Sequence, residues 1–128
     1  MSSFVYVGQR LGFVNKAGRE VRPEWSVRYR DVEKGPDASP WRLLPARRDL
    51  ADHSPDGFAW GYGGSGPAQL ALALVAHATG QDSLALSIYQ DFKHEIIAGL
   101  PRDGDWEITS EEVLETVTRL SGLQEPGR

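Results

Sequence analysis

A glycine-rich segment in the middle of the chain comes closest to a chemical motif. It runs from Phe58 to Pro67 with the sequence FAWGYGGSGP, and an apolar run follows it. A helix that begins at such a segment offers free backbone N–H groups and the positive end of its dipole, which together can hold a phosphate or another anion. One interpretation is therefore a ligand site at this turn. Its candidate residues are Gly63, Gly64, Ser65, Gly66 and, as a converging cation, Arg10.

The other interpretation of the segment is purely structural. Glycines let a strand turn sharply into a buried helix, and Trp60 and Tyr62 then pack into the core. In that case Ser65 has no titratable neighbour, and a substitution of Gly63 unfolds the protein because its φ is expected to be positive. The residue pattern favours this structural interpretation over the ligand site.

Each enzyme motif that the segment approaches is incomplete. Gly61, Gly63 and Gly66 have the dinucleotide spacing G-x-G-x-x-G, but a second helix is predicted where a Rossmann unit needs a parallel strand. The Walker A spacing is followed by proline and alanine where lysine and a hydroxyl belong. The nucleophile motif G-x-S-x-G around Ser65 ends in Pro67, where the last glycine belongs. The sequence therefore assembles no catalytic residues and implies no cofactor.

Metal binding has as little support. The chain has no cysteine and three histidines. His94 and Glu95 begin the zinc motif H-E-x-x-H, but Ala98 stands where the second histidine belongs. His77 lies in an apolar run, where a hydrogen-bonded core histidine is commoner than a ligand, and His53 lies in a predicted loop. We expect no metal site.

The composition is that of one folded domain. The chain has 128 residues, of which 40% are hydrophobic and 25% charged, enough to bury one core. The absence of cysteine suits a reducing compartment, the N-terminus lacks a secretory signal, and no apolar run is long enough to span a bilayer. We expect a cytoplasmic protein without membrane contact, with one domain over residues 1–121 and a frayed tail over residues 122–128.

Charge is distributed unevenly along the chain. Residues 1–50 hold 10 Lys or Arg and 6 Asp or Glu, whereas residues 51–128 hold 4 and 12. Such asymmetry is expected when two halves of one domain attract each other, and it is also typical of a basic surface for an acidic partner. The basic half interleaves cations with aromatic rings, as binding surfaces do. The candidate partner-binding residues are Trp25, Arg28, Tyr29 and Arg30.

The first third of the chain has the pattern of short antiparallel strands. Residues 4–7 and 12–14 are rich in β-branched and aromatic residues and flank a predicted turn at residues 8–10. A second turn is predicted at residues 15–18. Residues 25–30 alternate apolar and polar side chains, as expected of a strand with one face on a core and one in water.

A proline-rich stretch and then helices are predicted for the rest of the chain. Residues 31–57 contain four prolines, which indicates a long surface loop, with one short turn of helix near residues 42–50. Loops of this length are uncommon in compact domains and are often functional.

The core helix is predicted at residues 67–79, because the run PAQLALALVAHAT is apolar on every side. Pro67 suits the first helical position, with Gly66 as the cap. Gln69 suits a capping box, and Gly80 ends the helix.

Two further helices are predicted, over residues 82–98 with Asp82 as cap and over residues 110–121. Thr109 and Glu112 form the capping box of the last helix. The predicted fold class is α+β, with a small antiparallel N-terminal sheet packed on the buried central helix and the two C-terminal helices.

The glycine-rich segment also carries a resemblance. Residues 58–73, FAWGYGGSGPAQLALA, are similar to the signature of a small family of bacterial and phage proteins, a domain of unknown function. Further matching features are YVGQR at residues 6–10, YQxFK at residues 89–93, and Leu100-Pro101 with Trp106. The resemblance covers most of the chain except residues 31–57 and the tail. It carries over no catalytic residue, and it implies an accessory gene of phages and other mobile elements.

The leading functional hypothesis is a non-catalytic interaction protein that binds a macromolecular partner, with a protein as the expected partner. Its expected role is that of an accessory or anti-defence factor of a mobile element. Two alternatives stay open. One is the binding of a phosphate-bearing small molecule or nucleotide at residues 61–66, and the other is nucleic-acid binding by the basic N-terminal half. The sequence does not indicate the oligomeric state.

Overall fold

An antiparallel sheet and three α-helices make up the fold in a computed structural model of the chain, which describes residues 3–14, 17, 20–33, 40–54 and 57–124. Over these residues the elements, in chain order, are β1 (Phe4–Val14), β2 (Glu20–Asp31), β3 (Arg42–Leu43), α1 (Ser65–Thr79), α2 (Asp82–Glu95), a 3-10 helix (Ile97–Gly99), β4 (Trp106–Thr109) and α3 (Ser110–Gln124). The described strands form one sheet in the order β3-β2-β1-β4. The predicted α+β class is confirmed.

The first two strands are longer than predicted and form one antiparallel pair. The predicted turn at residues 8–10 is wrong, because β1 continues through Gly8, which pairs with Val27 on one side and Trp106 on the other. The Trp106 indole lies where a β-carbon of Gly8 would stand, so this glycine permits close packing and not a turn. The second predicted turn, at residues 15–18, lies outside the described residues except for Ala17.

The two short edge strands were not predicted. β4 supplies Trp106 and Ile108 to the core from the C-terminal half of the chain. β3 pairs with Arg28 and Tyr29 of β2, and the Leu44 N–H donates to the Val27 carbonyl at 3.0 Å. In place of the turn of helix predicted near residues 42–50, the structure has a single hydrogen-bonded turn, in which the Leu50 N–H donates to the Arg47 carbonyl at 3.0 Å. Segments this short gain their conformation from a neighbouring strand, which local sequence does not reveal.

Helix α1 is the core helix, as predicted. Every residue from Gly66 to Ala76 is buried, and Gly80 ends the helix at a φ of 67° with its N–H bonded to the Ala76 carbonyl. The start differs, because the N-cap is Gly64 and Pro67 is the third helical residue. Proline is tolerated there because the first four N–H groups of a helix have no intrahelical acceptor.

The other two helices cover α1. The N-cap of α2 is Gln81 and not Asp82, and α2 ends at Glu95, before the 3-10 helix. In α3 the predicted capping box is present, since the Glu112 N–H donates to Thr109 Oγ1 at 3.1 Å and the Thr109 N–H donates to Glu112 Oε1 at 3.3 Å. α3 continues to Gln124. Residues 125–128 of the predicted tail lie outside the described part of the chain.

His77 connects α1 to the sheet. Its Nδ1 lies 2.8 Å from the Tyr6 hydroxyl, and the rings of Phe4 and Tyr29 pack beside it. Burial raises the pKa of the Tyr6 hydroxyl and lowers the pKa of His77, so this hydrogen bond joins two uncharged groups at neutral pH. No helix in the described part of the chain is long and apolar enough to cross a membrane.

Stability should depend on the protonation of His77. Burial lowers its pKa from the usual 6.5, so just below pH 6.5 the unfolded chain binds more protons than the folded chain. The contribution of neutral His77 is therefore complete above that pH and is lost as the pH falls. We expect the melting temperature to decrease between about pH 7 and pH 5.5, and to decrease less in His77→Gln. The control is His94→Gln, which removes an exposed imidazole and leaves the contact between Tyr6 and His77 in place.

Candidate partner-binding face

The glycine-rich turn is closed on one side by the core and by the loop that precedes β4. Trp60 is fully buried, and its indole N–H donates to the Gly104 carbonyl at 3.1 Å. The Gly61 N–H donates to the Ile97 carbonyl at 3.0 Å. These bonds hold the entry to α1 against the chain between the 3-10 helix and β4.

Two glycines of the turn are required by packing. Gly61 has a φ of 83°, and a β-carbon there would lie 2.5 Å from the Arg102 Cα. A β-carbon on Gly66 would lie 2.6 Å from the Ala59 Cβ. Gly63 has no positive φ and nothing within 4 Å of a β-carbon, so the reason given for the expected unfolding on its substitution does not hold. The structural requirement lies at Gly61 and Gly66.

The outer side of the turn is exposed. Tyr62 is 38% exposed, and not in the core as the structural interpretation expects, and the Arg102 guanidinium lies 5.0 Å from its ring centre. Ser65 is exposed, and the Ala68 N–H donates to the Gly64 carbonyl at 3.0 Å. Thus the structure brings Arg102 against the turn.

Arg10, the predicted cation of the ligand site, makes its described contacts with residues outside the turn. Arg10 pairs with Asp103, and its guanidinium lies 5.4 Å from a Trp25 ring centre. Its backbone N–H donates to Asp105 at 3.3 Å. Ligand binding at residues 61–66 stays a prediction, which a nucleotide-dependent rise in melting temperature in the wild type but not in Ser65→Ala would support.

Gln69 has a role that the sequence did not indicate. Its amide is fully buried on α1, and it joins the helix to residues 44–54, which we call the strap. The Gln69 Oε1 accepts from the backbone N–H groups of His53 and Ser54 at 2.8 and 3.3 Å. Its Nε2 donates to the carbonyls of Ala46 and Ala51 at 2.6 and 3.0 Å. The predicted capping role is therefore wrong.

Side chains fix the strap at its two ends. Arg47 has a φ of 57° and bonds to Asp49 and Asp82, at 3.1 and 2.8 Å. The hydrogen bond from Arg47 lowers the pKa of Asp49. His53 Nε2 lies 2.5 Å from the hydroxyl of Tyr89 on α2. The histidine of the predicted loop therefore packs against α2. Much of the predicted loop is thus an ordered connection between β3 and α1.

The strap follows β3, the edge strand of a sheet whose two faces differ. Tyr6, Val27 and Ile108 lie on the face that packs on the helices, and all are buried. Directly paired residues of antiparallel strands point to the same side of the sheet. Val7 pairs with Arg28 and with Glu107, so these three side chains lie on the other face. We call it the open face. Its described strand members are Val5, Val7, Gln9, Ser26, Arg28, Arg30, Leu43, Glu107 and Thr109, and Trp41 lies on the same side, beside Arg30.

The four predicted partner-binding residues divide between the two faces. Arg28 and Arg30 lie on the open face. Trp25 and Tyr29 lie on the core side, with Trp25 4.6 Å from the Trp60 ring centre and Tyr29 4.2 Å from that of His77. The alternation of residues 25–30 therefore separates the cations from the rings with which they are interleaved in the sequence.

Trp41 supplies an aromatic ring to the open face, whereas Trp25 and Tyr29 lie on the core side. It is 45% exposed, its ring centre lies 5.2 Å from the Arg30 guanidinium, and Leu43 beside it is 68% exposed. Trp41 is not among the candidate residues predicted from the sequence, although an aromatic residue in the proline-rich stretch is expected to be exposed. The available signal was an isolated tryptophan in a polar segment, where aromatic residues often bind partners.

A groove lies next to Trp41. Val7, Gln9, Arg28 and Trp41 line it, and its volume is about 310 Å³. In the part of the chain that the structure describes, no carboxylate pairs with Arg28 or Arg30. The described part of the open face thus combines a groove, two arginines without a carboxylate partner and two exposed apolar side chains.

Neither a metal centre nor a known relative explains the site. Among the described residues, no group of three or more His, Asp or Glu side chains is placed to hold a metal ion. A protein family described as "Family of unknown function (DUF6166)" matches residues 32–119, more than half of the chain. This match includes the proline-rich stretch, which the resemblance left out, and it does not extend to β1. No curated protein and no solved structure matches the chain.

Proposed function

This chain belongs to the DUF6166 family of unknown function, and we propose that it is a non-catalytic module whose open face binds a partner protein. The observation that carries the proposal is the exposure of Trp41 and Leu43 to solvent. Both are large apolar side chains, 45% and 68% exposed, next to arginines that have no carboxylate partner in the described part of the chain. Exposed aromatic and arginine side chains that cluster around a groove are typical of interface hot spots.

The composition of the face supports a protein partner over a nucleic acid. Proteins that hold single strands stack successive bases on several rings. In the described part of the open face Trp41 is the one ring, and Glu107 adds a negative charge that phosphates would meet. The whole chain also has a net charge of -4, which opposes non-specific binding to nucleic acids.

The accessory role is the biological part of the proposal. A protein of a mobile element that blocks or redirects a host protein needs a docking surface and no reaction centre. An anti-defence role is thus compatible with a face of this kind. It would be lost together with the interaction when the face is changed.

Affinity capture with matched variants tests the proposed function. The face variant Trp41→Ala/Leu43→Ser should recover at least about tenfold less of a specific partner protein than the wild type, because hot-spot residues dominate binding energy. The control is Leu86→Ser/Leu114→Ser, which removes apolar side chains that are 42% and 40% exposed on α2 and α3. Both variants should keep the wild-type melting temperature within a few degrees.

The same experiment can contradict the proposal. If the control variant loses the partner and the face variant keeps it, the interface lies on the helices. If nuclease treatment of the lysate abolishes capture, the recovered protein was joined to the chain by nucleic acid. Equal recovery by all three proteins also contradicts a role of the open face.

A further inference from the structure

The groove on the open face has walls of different chemistry. Val7 and Trp41 supply apolar surface, Gln9 supplies an amide, and Arg28 supplies a guanidinium. Ligand sites in proteins begin at about 300 Å³, so a groove of about 310 Å³ can hold one large side chain with its flanking backbone. Its size suits a short segment of a partner.

Arg30 holds the tryptophan wall of the groove in place. Its guanidinium stacks on the Trp41 ring at 5.2 Å, and its Nε is buried without a hydrogen-bond partner in the described structure. A cation stacked on an indole restricts the rotation of the ring. The groove therefore loses little side-chain entropy when a segment binds.

Charge determines what kind of segment is complementary. Arg28 is exposed at the groove, and neither it nor Arg30 has a described carboxylate partner. Val7 of β1 pairs with Arg28 of β2 on one side and with Glu107 of β4 on the other, so Glu107 and Arg28 flank β1. A carboxylate on the segment would thus be attracted toward the β2 side of the groove and repelled from the β4 side.

We infer that the groove accepts an apolar side chain from an acidic peptide segment, with Arg28 pairing to a neighbouring carboxylate of that segment. The inference rests on the proposed function and specifies its partner. The apolar side chain gains burial against Val7 and Trp41, and the carboxylate supplies orientation. A segment that has only one of the two features binds more weakly.

Titration with synthetic peptides tests the inference, read out by the indole N–H signals of the four tryptophans. The probe is the capped peptide GSEDFEDSG. Its controls are GSEDSEDSG, without the apolar side chain, and GSQNFQNSG, without the charges. The Trp41 signal, assigned with Trp41→Phe, should shift in a saturable manner with a Kd of about 1 mM or tighter. The signals of Trp60 and Trp106, which are buried, should stay in place.

Variants of arginine identify the charge that is used. Arg28→Gln should weaken binding roughly five- to tenfold, and Arg28→Lys should keep most of the affinity because it keeps the charge. The control Arg102→Gln changes an exposed arginine outside the open face and should have no effect. Higher salt should weaken binding of the acidic probe several-fold.

Two results would overturn the inference. One is the absence of a Trp41 shift with the acidic probe at several times the expected Kd, and the other is an equal response to the uncharged control. If capture of a partner still depends on Trp41 and Leu43, the proposed function survives and the face binds a folded surface instead. If a single-stranded oligonucleotide shifts Trp41 more strongly than the peptide, the nucleic-acid alternative replaces the inference.

Discussion

Replacement of Gln69 by leucine is expected to lower the free energy of unfolding by roughly 3–5 kcal/mol, although the two side chains have similar volumes. The Gln69 amide makes four hydrogen bonds to the backbone of the strap. Leucine leaves two donors and two acceptors of the partly buried strap without their partner. Each unsatisfied buried group costs about 1–3 kcal/mol, and partial hydration of the strap lowers the sum.

Urea denaturation of Gln69→Leu measures this loss. The matched control is Gln90→Leu, the same substitution at an exposed position of α2, which should change stability by less than about 0.5 kcal/mol. Hydrogen exchange at the amides of His53 and Ser54 should become faster in Gln69→Leu alone. A loss below about 1 kcal/mol would mean that the strap is not held by this amide.

Replacement of Gly61 by alanine is expected to destabilise the protein by roughly 2–4 kcal/mol. Alanine at a φ of 83° is strained, and its β-carbon would lie 2.5 Å from the Arg102 backbone. Relief would require the loop before β4 to move, and that loop accepts the Trp60 hydrogen bond at Gly104.

Alanine substitutions at two other glycines separate the effect of backbone strain from the effect of the steric clash. Gly63→Ala has space and no positive φ, so its stability should stay within about 0.5 kcal/mol of the wild type. Gly57→Ala has a φ of 106° but space around the β-carbon, so it should show the backbone strain alone. A melting temperature of Gly61→Ala equal to that of Gly63→Ala would contradict the packing described for the turn.

Periodic patterns predicted the helices and the inward side of the sheet. The run of α1 is apolar on every side, which predicts a helix buried all round, and the residues from Gly66 to Ala76 are buried in the structure. The Thr109 capping box is a local interaction, so four neighbouring residues were enough to predict it. The alternation of residues 25–30 predicted which side chains face the core.

Long-range contacts determined the features that sequence reasoning missed. Gly8 was interpreted as a turn residue because nothing near it in the sequence shows that Trp106 packs against it. Gln69 looked like a capping residue because its acceptors and donors lie 15 to 23 residues away in the strap. Trp41 became a surface residue of interest only after β3 placed it beside Arg30.

Site-specific photo-crosslinking tests the central claim, that the open face is the partner-binding surface, most directly. A benzophenone amino acid in place of Leu43, which is 68% exposed on the open face, reports what touches that face in the native cell. The same amino acid in place of Leu114, 40% exposed on α3, is the matched control. The account predicts a discrete protein adduct from position 43 and none from position 114. An adduct from position 114 alone, a nucleic-acid adduct from position 43, or no adduct from position 43 would contradict it.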